Sequence, residues 1–524
     1  MSPSWPEIFP LGASGLAREI ASGRLSARDA VLAHVGRIEE VNPSLNAVVF
    51  RRFDEALAEA AAADERQARG EALGPLHGVP ISIKDSIFVA GTPSTAGLPS
   101  RARHRADADS PLVARLRRAG AIVLAKTNVP QMLLYIESDN PLFGRSNNPW
   151  SLDRSPGGSS GGEGALVAAG GSTLGLGTDL GGSIRIPAHV NGIHGLKATS
   201  LRLTLAGTFD ALLAPGQEAM VPAPGPLARH VRDLALAMDL LAAPGEEVDT
   251  TLPPVPRPAS AGIRVAGLRV GYYTDDGWFR PSPACARAVR EAAKALADRG
   301  ARVEEFAPPD LPEAMRIFFG LPSSAGSGWA KPFLEGGPVD PRLRELLLAA
   351  ALPHAAARLV ASVLELAGQR RRARVVRALG RRSAERYSRL VADRAAYRDR
   401  FLATDGPGRF DVWLCPPSPT PALTHGACRH LLGAASYTML WNLLGWPAGV
   451  VAATRVRPDE QEDRPASRDP VDRAARAVDA GSAGLPVGVQ VAARPWREDL
   501  VLAVMAALEE DFRARPEYPG RPPV

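Results

Sequence analysis

The sequence predicts an α/β protein: apolar strand-like runs alternate with amphipathic helical segments, and a dense Gly/Ser stretch interrupts them once. The composition agrees, with 45% hydrophobic and 23% charged residues among 524, close to the globular average. That balance excludes a disordered chain and a polytopic membrane protein. The 50 glycines and 48 prolines point to many turns without low complexity.

The chain opens with an α-helical preface over residues 13–70. Its helices are expected from Ser14 to Ser22, from Ser26 to Val41 with Ser26 as N-cap, and over the Ala/Glu-rich run from Arg52 to Arg69. His77–Ile87 is a short apolar run with a lysine near its end. A helical segment, SPLVARLRRAG, separates it from a second apolar run, Ala121–Pro130. Strand, helix, strand implies a mixed or parallel sheet. The rhythm returns in VAGLRVGYY, the helix Pro283–Asp298 and ARVEEFAP. It ends in the strands DVWLCPP, PAGVVAAT and LPVGVQVAA. One sheet running through residues 1–524 is more economical than several domains. The charged stretch Arg455–Asp479 reads as an exposed loop without a catalytic role.

Other classes are disfavoured. The N-terminus lacks a basic start followed by an apolar core, so no signal peptide is expected, and no run reaches the ~18 apolar residues of a spanning helix. Cys285, Cys415 and Cys428 are odd in number and lack CxxC spacing, which fits a reducing cytoplasm and no cysteine zinc site. The net charge of +6 needs no more than an arginine-rich bias, and nucleic acid is not an expected partner.

Chemistry concentrates between Ser151 and Ser200. A phosphate-cradling loop fails there: no Gly-Lys-Ser/Thr follows the glycines, and after Gly175-x-Gly177 the third place holds Leu180. Gly157-Gly158-Ser159-Ser160-Gly161 satisfies G-x-S-x-G, but turn residues precede it where a nucleophile elbow needs a strand. The downstream histidines, His425 and His430, read as surface residues. A third reading joins Lys84 at an apolar strand end, Ser159 in a Gly-Gly-Ser-Ser-Gly-Gly loop, and Ser183 in a Thr-Asp-Leu-Gly-Gly-Ser-Ile-Arg turn.

This arrangement resembles the amidase signature family, whose defining segment is matched almost continuously from Gly157 to Pro187. Within the family, the fatty acid amide hydrolase branch is the most similar, through Thr127–Trp150, Ala435–Val451 and Gly484–Leu500. The resemblance implies a large mixed twisted sheet surrounded by helices and amide hydrolysis through an acyl-enzyme. It implies Ser183 as nucleophile, Ser159, after a cis peptide, as bridging serine, and Lys84 as base. Leu180, Gly181, Gly182 and Ser183 can aim backbone N–H groups at one oxyanion, since glycines permit the turn. Asp179, Arg185 and Ser160 are expected to support that loop, and Asp85 to lie behind Lys84. No metal or cofactor is implied, and a homodimer is.

Residues 341–387 join apolar helical stretches, broken at Pro353, to a continuation holding Arg370, Arg371, Arg372, Arg374, Arg377, Arg381 and Arg382. In the similar place, the fatty acid amide hydrolase branch carries membrane-cap helices. The segment therefore implies an anionic membrane surface as partner and peripheral attachment, against the alternative of a core or dimer-contact helix pair. Leu133, Leu134, Met439, Leu440 and Trp441 are candidates for an acyl channel or for ordinary core. The expected substrate is a small, lipid-like amide; a general or aryl amidase, and an amidotransferase subunit, are the alternatives.

Overall fold

Capping chemistry sets the helix starts. Ser26 accepts a hydrogen bond from Asp29 N (2.9 Å) and opens the helix Ala27–Leu45, while Ser282, followed by a proline, opens Pro283–Asp298. The computed structural model describes residues 5–212, 217–242, 249, 251–406 and 408–524.

Thirteen strands follow in chain order: β1 (Val48–Arg51), β2 (Pro80–Lys84), β3 (Ile122–Thr127), β4 (Asp139–Asn140), β5 (Gly144–Arg145), β6 (Leu174–Asp179) and β7 (His194–Lys197), then β8 (Ala223–Ala228), β9 (Arg269–Tyr272), β10 (Arg302–Glu305), β11 (Val412–Cys415), β12 (Ala448–Arg455) and β13 (Pro486–Ala493). All but the β4–β5 hairpin join one 11-stranded sheet in the order β1-β3-β2-β6-β8-β7-β12-β13-β11-β9-β10. The sheet is mixed: β2 runs parallel to β3 and β6, and β9 to β10 and β11, whereas β6–β8, β7–β12 and β12–β13 are antiparallel. Every residue of β2, β3 and β6 is buried because helices cover both faces of the sheet there, which explains their unbroken apolar runs.

One expectation changes. Arg455–Asp479 is not simply an exposed loop: it contains the helix Pro470–Asp479, which buries Val471, Ala475 and Val478 and anchors Arg464 to Asp479 (2.5 Å). Leu440 and Trp441 are core residues; Trp441 packs against Trp413, Trp446 and Phe401. The other expected elements appear within a few residues of their predicted limits.

The segment 341–387 forms the helices Pro341–Ala351, His354–Leu366 and Arg370–Ala378, and the start of Ala384–Asp405. Pro353 ends the first helix pattern because it cannot donate a backbone N–H. The inner faces are buried at Leu343, Ala357 and Ala361, while Leu348, Leu359, Val363 and Leu366 are 62%, 69%, 59% and 90% exposed. Among the described residues, no helix is long and apolar enough to cross a membrane.

Candidate active site

Lys84 closes β2, and pairing of β2 with β6 brings it beside Thr178. Its Nζ donates to Ser159 Oγ (2.7 Å) and to Thr178 Oγ1 (2.8 Å). Thr178 Oγ1 in turn donates to Asp210 Oδ2 (3.1 Å). A hydroxyl accepts and donates at once, so Thr178 links the amine to the carboxylate without direct contact. Burial pushes the Lys84 amine down to about 8, although Asp210, Asp179, Glu163 and Asp85 all favour its charged form. Burial likewise raises Asp210, against the pull of Lys84.

Ser159 follows a cis peptide from Gly158. Ser160 N donates to Ser183 O (3.1 Å), tying the Ser159 loop to the Ser183 turn. Close approach also needs Gly177, since a Cβ there would lie 2.7 Å from Ser160 Oγ.

The Ser183 turn is built on a buried ion pair. Asp179 Oδ1 accepts from Gly182 N (2.8 Å), and Oδ2 accepts from Ile184 N (3.1 Å). Arg185 grips the same carboxylate through Nε (3.0 Å) and Nη2 (2.8 Å), and its Nη1 donates to Gln490 Oε1 (2.7 Å) and Thr438 O (3.0 Å). Burial alone would raise the Asp179 carboxyl, but Arg185 and Lys197 hold it well below the usual carboxylate range. Both side chains are fully buried, so removing either partner strands a charge and costs about 3–5 kcal/mol. Gly182 sits at φ +123°, and a Cβ added there would lie 2.4 Å from Thr438 Oγ1. Gly182→Ala is expected to displace the turn and slow turnover by about 10²–10³-fold, read as kcat on any accepted amide. Because Gly182 N already serves Asp179, the N–H groups of Leu180, Gly181 and Ser183 are the donors of this turn not committed to that carboxylate.

Ser183, Leu180 and Gly181 line an apolar cavity of about 170 Å³. Leu133, Leu134 and Met439, left between acyl channel and core by the sequence, line it; so do Phe318, Phe319 and Trp329, which local sequence did not single out. Helix Pro341–Ala351 contributes Leu346, Leu347 and Ala350 to the wall, and Leu348 on the same helix is exposed.

Several buried charged groups near the site escaped sequence reasoning. Glu163 accepts from Ser82 (2.6 Å) and Thr127 (2.7 Å), and burial pushes it up to about 7. Lys126 donates to Asp85 O and Pro93 O (both 3.0 Å), while the Asp85 carboxylate holds Thr95 N and Oγ1 (both 3.0 Å). Glu137 receives Gly426 N (2.8 Å) and Cys428 N (2.7 Å), fastening a distant loop beside the cavity. The only local signal was an ionisable residue inside an apolar run, which holds for Lys126 but not for Glu137. His425 takes no part: its Nε2 lies 3.1 Å from Leu152 O. Among the described residues, no His/Cys/Asp/Glu group could hold a metal ion.

A family model described as Amidase matches residues 29–502. The chain belongs to the amidase signature family. It is 37% identical to fatty-acid amide hydrolase 1 of Sus scrofa over 97% of this chain and 86% of that protein. It is 34% identical to fatty acid amide hydrolase 1 of Caenorhabditis elegans over 83% and 76%. Indoleacetamide hydrolase of Bradyrhizobium diazoefficiens is 41% identical over 58% and 57%. The structure of a fatty acid amide hydrolase superposes with a TM-score of 0.84 at 27% identity, covering 97% of this chain and 86% of that one. As an amidase signature enzyme, the protein hydrolyses amide bonds.

Proposed function

We propose that the protein cleaves amides of long apolar carboxylic acids, with Ser183 as nucleophile, Ser159 as proton bridge and Lys84 as base. The observation that carries the substrate class is the apolar cavity above Ser183, walled by Leu133, Phe318, Trp329 and Leu347. An acyl chain buried there gains roughly 0.8 kcal/mol per methylene.

The chemistry follows from the site. Neutral Lys84 takes the Ser159 proton as Ser159 takes the Ser183 proton, and Ser183 Oγ attacks the carbonyl carbon. The Leu180, Gly181 and Ser183 N–H groups face the developing oxyanion. The proton returns through Ser159 to the leaving nitrogen, which departs as an amine and leaves an acyl-Ser183 ester. Water then attacks the ester, its proton passing to Lys84 along the same bridge; the ester C–O bond breaks as that proton returns through Ser159 to Ser183 Oγ, and the acid leaves as its carboxylate, giving its remaining proton to solvent. Asp179, Arg185 and Ser160 hold the loops in place.

The exposed Leu348, Leu359, Val363 and Leu366 support peripheral docking to a membrane, from which a lipid amide enters the cavity. Not all the cap arginines serve that surface: Arg371 pairs with Asp472, Arg377 with Glu365, and Arg382 Nη1 donates to Gly380 O (2.7 Å). Replacing Leu359, Val363 and Leu366 together with serine is expected to abolish co-sedimentation with phosphatidylglycerol vesicles. Hydrolysis of water-soluble amides should stay unchanged.

The deciding experiment compares primary amides from acetamide and benzamide to oleamide, with and without anionic vesicles, against a Ser183→Ala blank. A rate that rises with chain length is the expected result. Preference for benzamide, indifferent to vesicles, would make this a general aryl amidase.

A further inference from the structure

The Lys84–Ser159 contact joins the end of β2 to the loop that leads into the helix Gly161–Ala168, two pieces of backbone from different elements. Glu163 lies in the first turn of that helix, and its carboxylate is clamped to the sheet by the neighbours of Lys84. Ser82 precedes Lys84 by two residues on β2, so their side chains share a face. Thr127 stands opposite Lys84 in the β2–β3 ladder. Ser82 Oγ donates to Glu163 Oε2 (2.6 Å) and Thr127 Oγ1 to Oε1 (2.7 Å), so each carboxylate oxygen takes one strand. β6 closes the third side: Gly175 pairs with Ser82, and a Cβ on Gly175 would lie 2.2 Å from Glu163 Oε2. Glu163, Ser82 and Thr127 are all 0% exposed, so solvent does not compete for these bonds.

We propose that Glu163 is a positioning residue, a strut that fixes the separation of Lys84 Nζ and Ser159 Oγ and so sets the rate of proton relay between them. The proposal rests on the Ser-Ser-Lys reading above. Ser159 stands four residues before Glu163, at the mouth of the same helix, so a helix held by Glu163 carries the serine with it. Other bonds at this helix end, Gly161 N to Ser138 Oγ (3.0 Å) and Gly162 N to Asn128 O (3.2 Å), reach the chain after β3, whereas Glu163 reaches β2 itself. Relay needs heavy atoms within about 2.6–3.2 Å, and a misplacement of about 1 Å breaks it. Charge is a second contribution. Asp210, Asp179, Glu163 and Asp85 act on the Lys84 amine, and Lys84 and Lys126 act on the Glu163 carboxylate. Ionised Glu163 favours the ammonium, so its removal lowers the pH at which Lys84 becomes neutral.

The test reads pH–rate profiles of the full-length native enzyme, Glu163→Ala and Glu163→Gln on the best primary amide of the series above, after melting curves show each protein folded. Glu163→Ala is expected to lower the plateau kcat about 10²-fold with little change in KM. Glu163→Gln should recover all but about threefold of that plateau, because its carbonyl accepts from one hydroxyl while its NH2 donates to the other. Both variants should move the rising limb to lower pH. A Glu163→Ala plateau within about threefold of native, or an equal loss in the two variants, would overturn the proposal. If Glu163→Ala does not fold, Thr127→Val and Thr127→Ser carry the decision. The valine variant, which keeps the shape without the hydroxyl, should lose about tenfold and the serine variant should regain it; equal rates would overturn the strut. A native profile that is flat from about pH 6 to 9 removes Lys84 as base, and the Ser-Ser-Lys reading then fails and takes the proposal with it.

Discussion

Ser183→Ala is expected to lower kcat/KM by about 10⁴-fold or more while leaving the melting temperature unchanged. In the proposed mechanism its oxygen is the atom acylated, while Ser323, another serine lining the cavity, donates to Phe319 O (2.7 Å). Structure should survive because the turn is held by other atoms. Asp179 binds Gly182 N and Ile184 N, and the Ser160 N bond goes to the Ser183 carbonyl, which alanine retains. A fluorophosphonate probe followed by peptide mass analysis should label Ser183 in the native enzyme and nothing in the variant. Turnover at the native rate would remove Ser183 from the mechanism.

Replacing Lys84 tests the base. Its amine titrates at about 8, so the proton-free form is a minority at pH 7 and dominates by pH 9. With neutral Lys84 as the proposed base, kcat/KM should rise about tenfold per unit well below pH 8 and level off above it. Lys84→Met keeps most of the buried volume and is expected to cost about 10²–10⁴-fold, with the rising limb lost. The profile separates this role from a packing defect, which would lower the rate equally at every pH. Thr178→Val breaks the link between Lys84 and Asp210, and the limb should shift to a different pH while Ser183 labelling persists.

Much of this site was legible because its chemistry is local. The dense Gly/Ser turn around Ser183, the strand ending in Lys84 and the helix beginning after Ser282 each announce themselves within ten residues. Asp210 could not be found that way. It lies 32 positions from Thr178, and only the neighbouring placement of β2 and β6 gives Lys84 and Asp210 a shared hydroxyl. Glu163 is similar: it sits in a Gly-rich helix, and its partners Ser82 and Thr127 come from two different strands. Arg455–Asp479 misled for the converse reason. Its many charges suggest solvent, yet Arg464 and Asp479 neutralise each other against buried Val471 and Val478.

Sequence alone determined the α/β class, the amidase signature, the lysine and two serines, and the broken apolar helices with arginines behind them. These depend on residue type, periodicity and short spacing, which a linear chain displays directly. Tertiary structure decided which polar groups share the buried space under Lys84, that Leu440 and Trp441 belong to the core, and that helix Pro341–Ala351 lends Leu346 and Leu347 to the wall of the Ser183 cavity. It also decided that Arg371 and Arg377 are paired while Arg372 and Arg374 are not. Charge pairing and burial depend on which residues the fold brings together, whether 12 positions apart, as Arg377 and Glu365 are, or 101, as Arg371 and Asp472 are.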